Sequence, residues 1–407
     1  MKASEKRQSS LGFKFDGDVM VDDQAFVHSL SHLLNAPTVE GNHVDILVNG
    51  VEIFPAMLEA IGQAEHTITF ETFIYWNGRI AKEFADALAD RARQGVSVHV
   101  ILDGYGATKA NDELLDIMRD AGCHVNFYNP IEFKKFFTSG SLNRRTHRKI
   151  MVIDGRIGFI GGVGIADEWD GDARNPNEWH DTHFRVAGPV VNQLQGIFLD
   201  NWIHVKREVF LSEHYFPEIE PAGNLKAHVF KSIPRAHTSN TKILCLNAFH
   251  SAKKEILITT PYLLPDKDTR QILFDAVDRG VDVKIIVPGS KVDHKVVRNS
   301  SRYHWKEYLE AGVELYRYDP TFIHAKTLIV DSYWTSVGSS NMDFRSLCLN
   351  DECNLNVFDY EFSAKMKTLF EQDLEKSTRV TQDYLDSITW QNKVGDFLAY
   401  YFLRKQL

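Results

Sequence analysis

The sequence has little cysteine, four residues in 407. Cys348 and Cys353 lie close together, Cys123 and Cys245 stand alone, and no spacing matches a zinc site. A disulfide scaffold is thereby excluded, and buried reduced thiols are expected. Long apolar runs are also missing. The opening MKASEKRQSSLGFKFDGD contains no apolar stretch of signal-peptide length. The longest stretch without Asp, Glu, Lys or Arg is the 16 residues from Gln24 to Val39, which include Ser, His, Asn and Pro. A membrane-crossing helix needs about 20 mainly apolar residues, so none is expected and any membrane contact should be peripheral. A basic surplus is absent too. Lys and Arg total 46 against 55 Asp and Glu, a net charge of -9, which argues against a dedicated nucleic-acid binder. At 43% hydrophobic and 25% charged residues, the composition is that of a folded globular chain with room for two or three cores.

What the chain does contain is a repeat. QGVSVHVILDG at 94–104 answers RGVDVKIIVPG at 279–289, and AGCHVNFYNP at 121–130 answers AGVELYRYDP at 311–320. THRKIMVIDGRIGFIGG at 146–162 then answers IHAKTLIVDSYWTSVGS at 323–339. Within each copy, buried-strand patterns alternate with helix-period segments, which predicts an α/β fold. Two pseudo-twofold-related halves follow, each a mixed, mainly parallel β-sheet flanked by helices. The expected organisation is an N-terminal arm and packing helix (1–41), a first half (42–212), a Pro- and Gly-rich linker (213–240), a second half (241–380) and a helical tail (381–407).

The repeat carries the chemistry. His147-x-Lys149-x4-Asp154 recurs as His324-x-Lys326-x4-Asp331. One such motif is a weak signal, but two at equivalent points of a duplication are a strong one. Residues i and i+2 of an extended strand share a face, so each half presents an imidazole beside an ammonium. If the halves pack about a twofold axis, both couples converge on one pocket suited to a phosphodiester. The lysines neutralise non-bridging oxygens, one histidine attacks phosphorus and the other protonates the leaving alkoxide. Asp154 and Asp331 belong to the motif, yet their distance from the histidines suits loop anchoring better than chemistry. Gly161, Gly162, Gly338 and Ser339 allow close backbone approach, with Ser339 and Asn341 as added donors. A carboxylate should orient each imidazole: Asp181 in the first half and Glu352 in the second. Glu71, Tyr75 and Tyr262 are expected to approach the pocket from the first strand of each half. The carboxylate clusters of a two-metal site are not evident, and no cofactor is expected.

On these motifs the sequence resembles the phospholipase D superfamily, and within it the bacterial cardiolipin synthases. The likeness runs from about residue 42 to 375 and includes FETFIYWNGRI, RRTHRKIMVIDGRIGFIGG, TPYLLPD and VGSSNMDFRS, with Asn350, Glu352 and Asn354 following. It departs where Gly164 stands in place of Asn341 of the second half, and in lacking the N-terminal membrane helices of longer members. The resemblance implies ping-pong transfer of a phosphatidyl group between glycerophospholipids such as phosphatidylglycerol. His147 would carry the phosphatidyl group and His324 would act as acid and base. With water as acceptor the activity would be hydrolytic phospholipase D. A nuclease is a third reading, disfavoured by the net charge. No obligate protein partner is evident, and the implied location is cytoplasmic, peripheral to the cell membrane.

A membrane contact is expected in FKKFFTSGSLNRRTHRK (133–149), where Phe133, Phe136 and Phe137 adjoin Lys134, Lys135, Arg144 and Arg145. The second half lacks this insertion. The C-terminal WQNKVGDFLAYYFLRKQL is read either as an interfacial helix or as one docked on the core.

Overall fold

Strands from both halves enter one sheet. The computed structural model describes residues 13–131, 144–233 and 239–406, with side chains up to residue 402. From the second-half edge, the 15 strands run Ser377–Arg379, Glu314–Tyr318, Asp282–Pro288, Glu255–Thr259, Thr327–Val330, Trp334–Gly338, Glu352–Phe358 and Leu225–Ser232. The first half continues with Val39–Val48, Thr182–Ala187, Ile157–Gly161, Ile150–Ile153, Thr67–Thr72, Ser97–Asp103 and His124–Tyr128. Apart from the short edge strand Ser377–Arg379, the second list mirrors the first. The pseudo-twofold axis therefore falls between Leu225–Ser232 and Val39–Val48, which pair antiparallel. The α/β fold and its two related halves are thus as the sequence implies, in a mixed sheet. Inside the edge strand Ser377–Arg379, which pairs antiparallel, the three outer strands of each half are parallel, and those toward the axis are antiparallel.

One boundary differs. Residues 213–240, expected as a linker, contain Leu225–Ser232 at the middle of the sheet. This strand is the second-half counterpart of Val39–Val48. The polar and Pro-rich residues on both sides of it dominate the composition of the segment and hide the buried run from Ala227 to Phe230.

The strands that lead away from the motifs are buried on both sides. Every residue of Thr67–Thr72, Ile150–Ile153 and Thr327–Val330 is buried, because helices cover both faces of the sheet. Helix Arg79–Arg93 places Ile80, Ala81, Phe84, Ala85, Leu88 and Ala89 on one stripe against the first half. Its first turn is capped from a distance: Asp167 accepts from the Arg79 and Ile80 amides, both at 2.9 Å. On the opposite face, helices Val191–Lys206 and Tyr360–Glu375, one from each half, share a single core through Phe198, Trp202, Phe362 and Phe370. That shared core locks the halves together. The N-terminal helix Gln24–Leu33 adds Phe26, Val27 and Leu30 to the second half's own core, while Leu33 faces outward.

Phe84 is wholly buried, with Phe54 and Phe70 ring centroids 6.0 and 6.1 Å away. Phe84→Ala should cost about 3–5 kcal/mol by leaving a cavity, read as a lowered urea midpoint.

Candidate active site

Each His-Lys couple stands just before a buried strand, at the end nearest the axis. There the chain leaves its own half and bonds to the other. Thr146 forms a parallel bridge with Asp351, and the His147 amide donates to the Asp351 carbonyl at 2.8 Å. Symmetrically, Ile323 bridges His180, and the His324 amide donates to the His180 carbonyl at 2.7 Å. The residues after these two anchors are the orienting carboxylates, and they act across the axis. Glu352 lies 3.0 Å from Nδ1 of His147, and Asp181 lies 2.7 Å from Nδ1 of His324. The sequence reading assigned each carboxylate to its own half. The structure reverses that assignment, because the strands bearing Asp181 and Glu352 end at the axis and are closest to the other half's motif.

Both histidines and both lysines are buried. Burial pulls His147 down to about 4, with Glu352 opposing and Lys149 assisting. His324 is likewise pulled down to about 4 by burial and Lys326, against Asp181. Lys149 falls to about 8 and Lys326 to about 7, both chiefly through burial, opposed by Asp181 and Glu352. Burial alone would raise the two carboxylates. The facing His324 and Lys326 outweigh it for Asp181, as His147 and Lys149 do for Glu352, so both are lowered. His147 feels Lys326, and His324 feels Lys149. The two couples therefore share one electrostatic site.

The two carboxylates are held differently. Asp181 accepts from the Trp169 indole at 2.9 Å and from the Thr182 amide at 2.8 Å. A Cβ on Gly162 would lie 2.2 Å from its Oδ1, so only glycine fits there. Ser339, at the equivalent position, instead donates its hydroxyl to Glu352, which also accepts from Ser346 at 2.7 Å. Ser339 thus supports the carboxylate rather than facing a ligand. The Asn341 amide donates to Ser346 at 3.0 Å, and its Oδ1 is buried without a hydrogen bond among the described residues. Aromatic rings that the sequence reading missed wall the pocket. Trp169, Phe322 and Trp179 stand 5.2, 5.6 and 6.0 Å from His324, and Phe73 stands 5.1 Å from His147. Trp179 stands only two residues before Asp181 in the sequence.

Other expected site residues lie elsewhere. Glu71 is behind the first motif, bonded to the Thr146 hydroxyl and to Asn201 Nδ2 at 2.6 Å, and burial raises it to about 7. Tyr75 is a core residue whose hydroxyl donates to the Ala81 carbonyl at 2.6 Å. Tyr262 donates to Asp293, a carboxylate whose charge reaches Lys326. Phe133, Lys134, Lys135, Phe136 and Phe137 lie outside the described residues. Arg144 and Arg145 do not form a membrane-facing pair. Arg144 reaches Asp351 at 3.2 Å, and buried Arg145 donates to the Asn129 carbonyl at 2.7 Å. Asp154 and Asp331 sit at the far ends of their strands. Asp154 accepts from the Glu65, His66 and Thr67 amides, and Asp331 from those of Lys253, Lys254 and Glu255. Both anchor loops with left-handed backbone, at φ 50° and 52°. A surface cavity of about 410 Å³ beside Asp154, lined by Glu59, Arg156 and Arg185 among others, is at this end, away from the couples.

Two duplicated halves joined about an axis, with a His-Lys couple from each at the junction, define a phospholipase D-type architecture. A family model described as cardiolipin synthase, PLD-like domain matches residues 57–170 and 245–374. The major cardiolipin synthase ClsA of Bacillus subtilis is 32% identical over 381 residues, covering 93% of this chain and 78% of that one. A cardiolipin synthase of Alkalihalophilus pseudofirmus is 35% identical over 360 residues, covering 88% and 71%. In fold, the chain is similar to phosphatidylserine synthase of Haemophilus influenzae, with a TM-score of 0.69 over 94% of this chain and 98% of that one, at 15% identity. The chain belongs to the cardiolipin synthase family of phospholipase D-like proteins. Among its described residues, no helix is long and apolar enough to cross a membrane.

Two outcomes follow from the geometry. Asp154→Ala should lower stability by about 2 kcal/mol in a urea titration, because three amide donors lose their acceptor, with anion binding unchanged. With Lys326 near 7 and Lys149 near 8, rising pH removes their positive charge. Affinity for tungstate, measured by calorimetry, should therefore fall at least tenfold between pH 6 and pH 9; a flat profile would contradict the assignment.

Proposed function

We propose that the protein is a phosphatidyltransferase of cardiolipin synthase type, moving a phosphatidyl group between glycerophospholipids through a phosphatidyl-histidine intermediate. The observation that carries this reading is the crossed pairing, His147 with Glu352 and His324 with Asp181. Glu352 accepts at Nδ1 of His147 and so places the proton there, which leaves the Nε2 lone pair for attack. No described group bonds that Nε2. The Lys326 ammonium, by contrast, lies 2.9 and 3.0 Å from the ring nitrogens of His324. This difference supports His147 as the nucleophile.

The charge balance of the site supports the same order of events. Two ammoniums and two carboxylates cancel while both imidazoles are neutral. A bound phosphodiester adds one negative charge, which favours taking up one proton on His324. His147 Nε2 then bonds to phosphorus as the bond to the leaving alcohol breaks, and His324 delivers its proton to that alkoxide. In the second half-reaction His324 takes the proton of the incoming hydroxyl. That oxygen bonds to phosphorus and the phosphorus–nitrogen bond breaks. Lys149 and Lys326 hold the non-bridging oxygens, where negative charge accumulates. Asp181 and Glu352 orient the imidazoles and stabilise their charged forms.

His147→Ala and His324→Ala should each lower transfer from phosphatidylglycerol by at least about 10³-fold. Mass spectrometry of acid-sparing digests of the turning-over parent should find the phosphatidyl adduct on the His147 peptide. Full activity in either variant, or an adduct on His324 alone, would overturn this reading.

A further inference from the structure

The C-terminal helix Trp390–Gln406 leaves one face uncovered. Trp390, Val394, Phe397, Leu398, Tyr401 and Phe402 are each 45% or more exposed. Their spacing of i, i+4, i+7, i+8, i+11 and i+12 draws one continuous apolar stripe along the helix. An exposed stripe of this size on a protein surface marks an interaction site.

The opposite side of the helix is firmly attached. Asp396 is buried and pairs with both Arg302 Nε and Nη2 at 2.7 Å. Tyr400 stacks on Tyr303 at 4.9 Å. Phe397, at the edge of the stripe, also reaches Tyr303, with ring centroids 5.8 Å apart. The helix is therefore held on helix Lys295–Tyr303 with the rest of the stripe outward. That supporting helix begins two residues after Asp293, the carboxylate that Tyr262 bonds and whose charge acts on Lys326. The stripe is thus mounted on a helix that packs against Leu263–Leu264, the short strand paired with Met342–Asp343 beside Asn341.

Charge identifies the occupant. The chain as a whole carries -9. Along the C-terminal helix the only acid is Asp396, neutralised by Arg302, whereas Lys393, Arg404 and Lys405 are basic. Lys291 and Lys295, at the start of the supporting helix, are exposed as well. An apolar stripe with tryptophan and tyrosine, flanked by lysine on an otherwise acidic protein, matches an anionic bilayer surface.

We infer that the C-terminal helix is a bilayer-docking element that lies in the interface of an anionic membrane and sets the His-Lys pocket at the level of the lipid headgroups. The inference rests on the phospholipid substrate of the preceding section, which gives the pocket a reason to face a membrane.

The test is flotation of the full chain with vesicles of phosphatidylglycerol or of phosphatidylcholine. The parent should float with the anionic vesicles, and the variant W390Q/V394Q/L398Q/F402Q should partition at least tenfold less. Lys393→Gln should weaken flotation by about fivefold, the equivalent of about 1 kcal/mol. Circular dichroism and turnover of a short-chain phosphatidylglycerol kept below its micelle concentration should be unchanged in both. In the parent itself, brominated lipid should quench tryptophan fluorescence, and Trp390→Phe should remove most of that quenching. Two results would overturn the inference: undiminished flotation of the fourfold variant, or a parent dimer that becomes monomeric in that variant while still floating, which would give the face to a second copy. Flotation without any turnover by the parent would keep the docking face and refute the transferase instead.

Discussion

The structure turns on an exchange of carboxylates across the internal axis. Neither His147 nor His324 takes its orienting carboxylate from its own half; each depends on an acidic residue that the other half supplies next to a backbone bridge. A buried imidazole and a buried ammonium are costly in isolation. The crossed carboxylates offset that cost only when both halves are docked. The shared core of Phe198, Trp202, Phe362 and Phe370 is therefore as much a condition for the site as any residue that faces a ligand.

This dependence accounts for several otherwise separate features. Gly162 is required because the Asp181 carboxylate occupies the space of a side chain. Ser339 occupies the equivalent position because Glu352 is longer and lies where a hydroxyl can bond it. The two halves retain the same couple yet hold their carboxylates with different donors, an indole and an amide for one, hydroxyls for the other. Divergence after duplication has left two chemically distinct imidazoles, which a reaction needing one nucleophile and one acid can use.

Much of this was legible in the amino-acid order. The repeated segments located the strands and the axis, and the i, i+2 spacing placed histidine and lysine together. What stayed hidden has physical causes. The partner of each carboxylate depends on which strand ends meet at the axis, a tertiary fact that local spacing does not encode. Leu225–Ser232 was obscured by its polar flanks, although its counterpart Val39–Val48 stands in the same relation to the first half. Glu71 and Tyr75 share an apolar run with residues that do approach the site. Alternation along a strand leaves open which face is the pocket, and Glu71 proved to bond Thr146 and Asn201 behind it.

The central claim is that both couples grip one phosphorus centre, and a crystal structure with tungstate tests it most directly. The account predicts a single ion contacted by His147, Lys149, His324 and Lys326 together. Two separate ions, or one ion touched by only one couple, would contradict it.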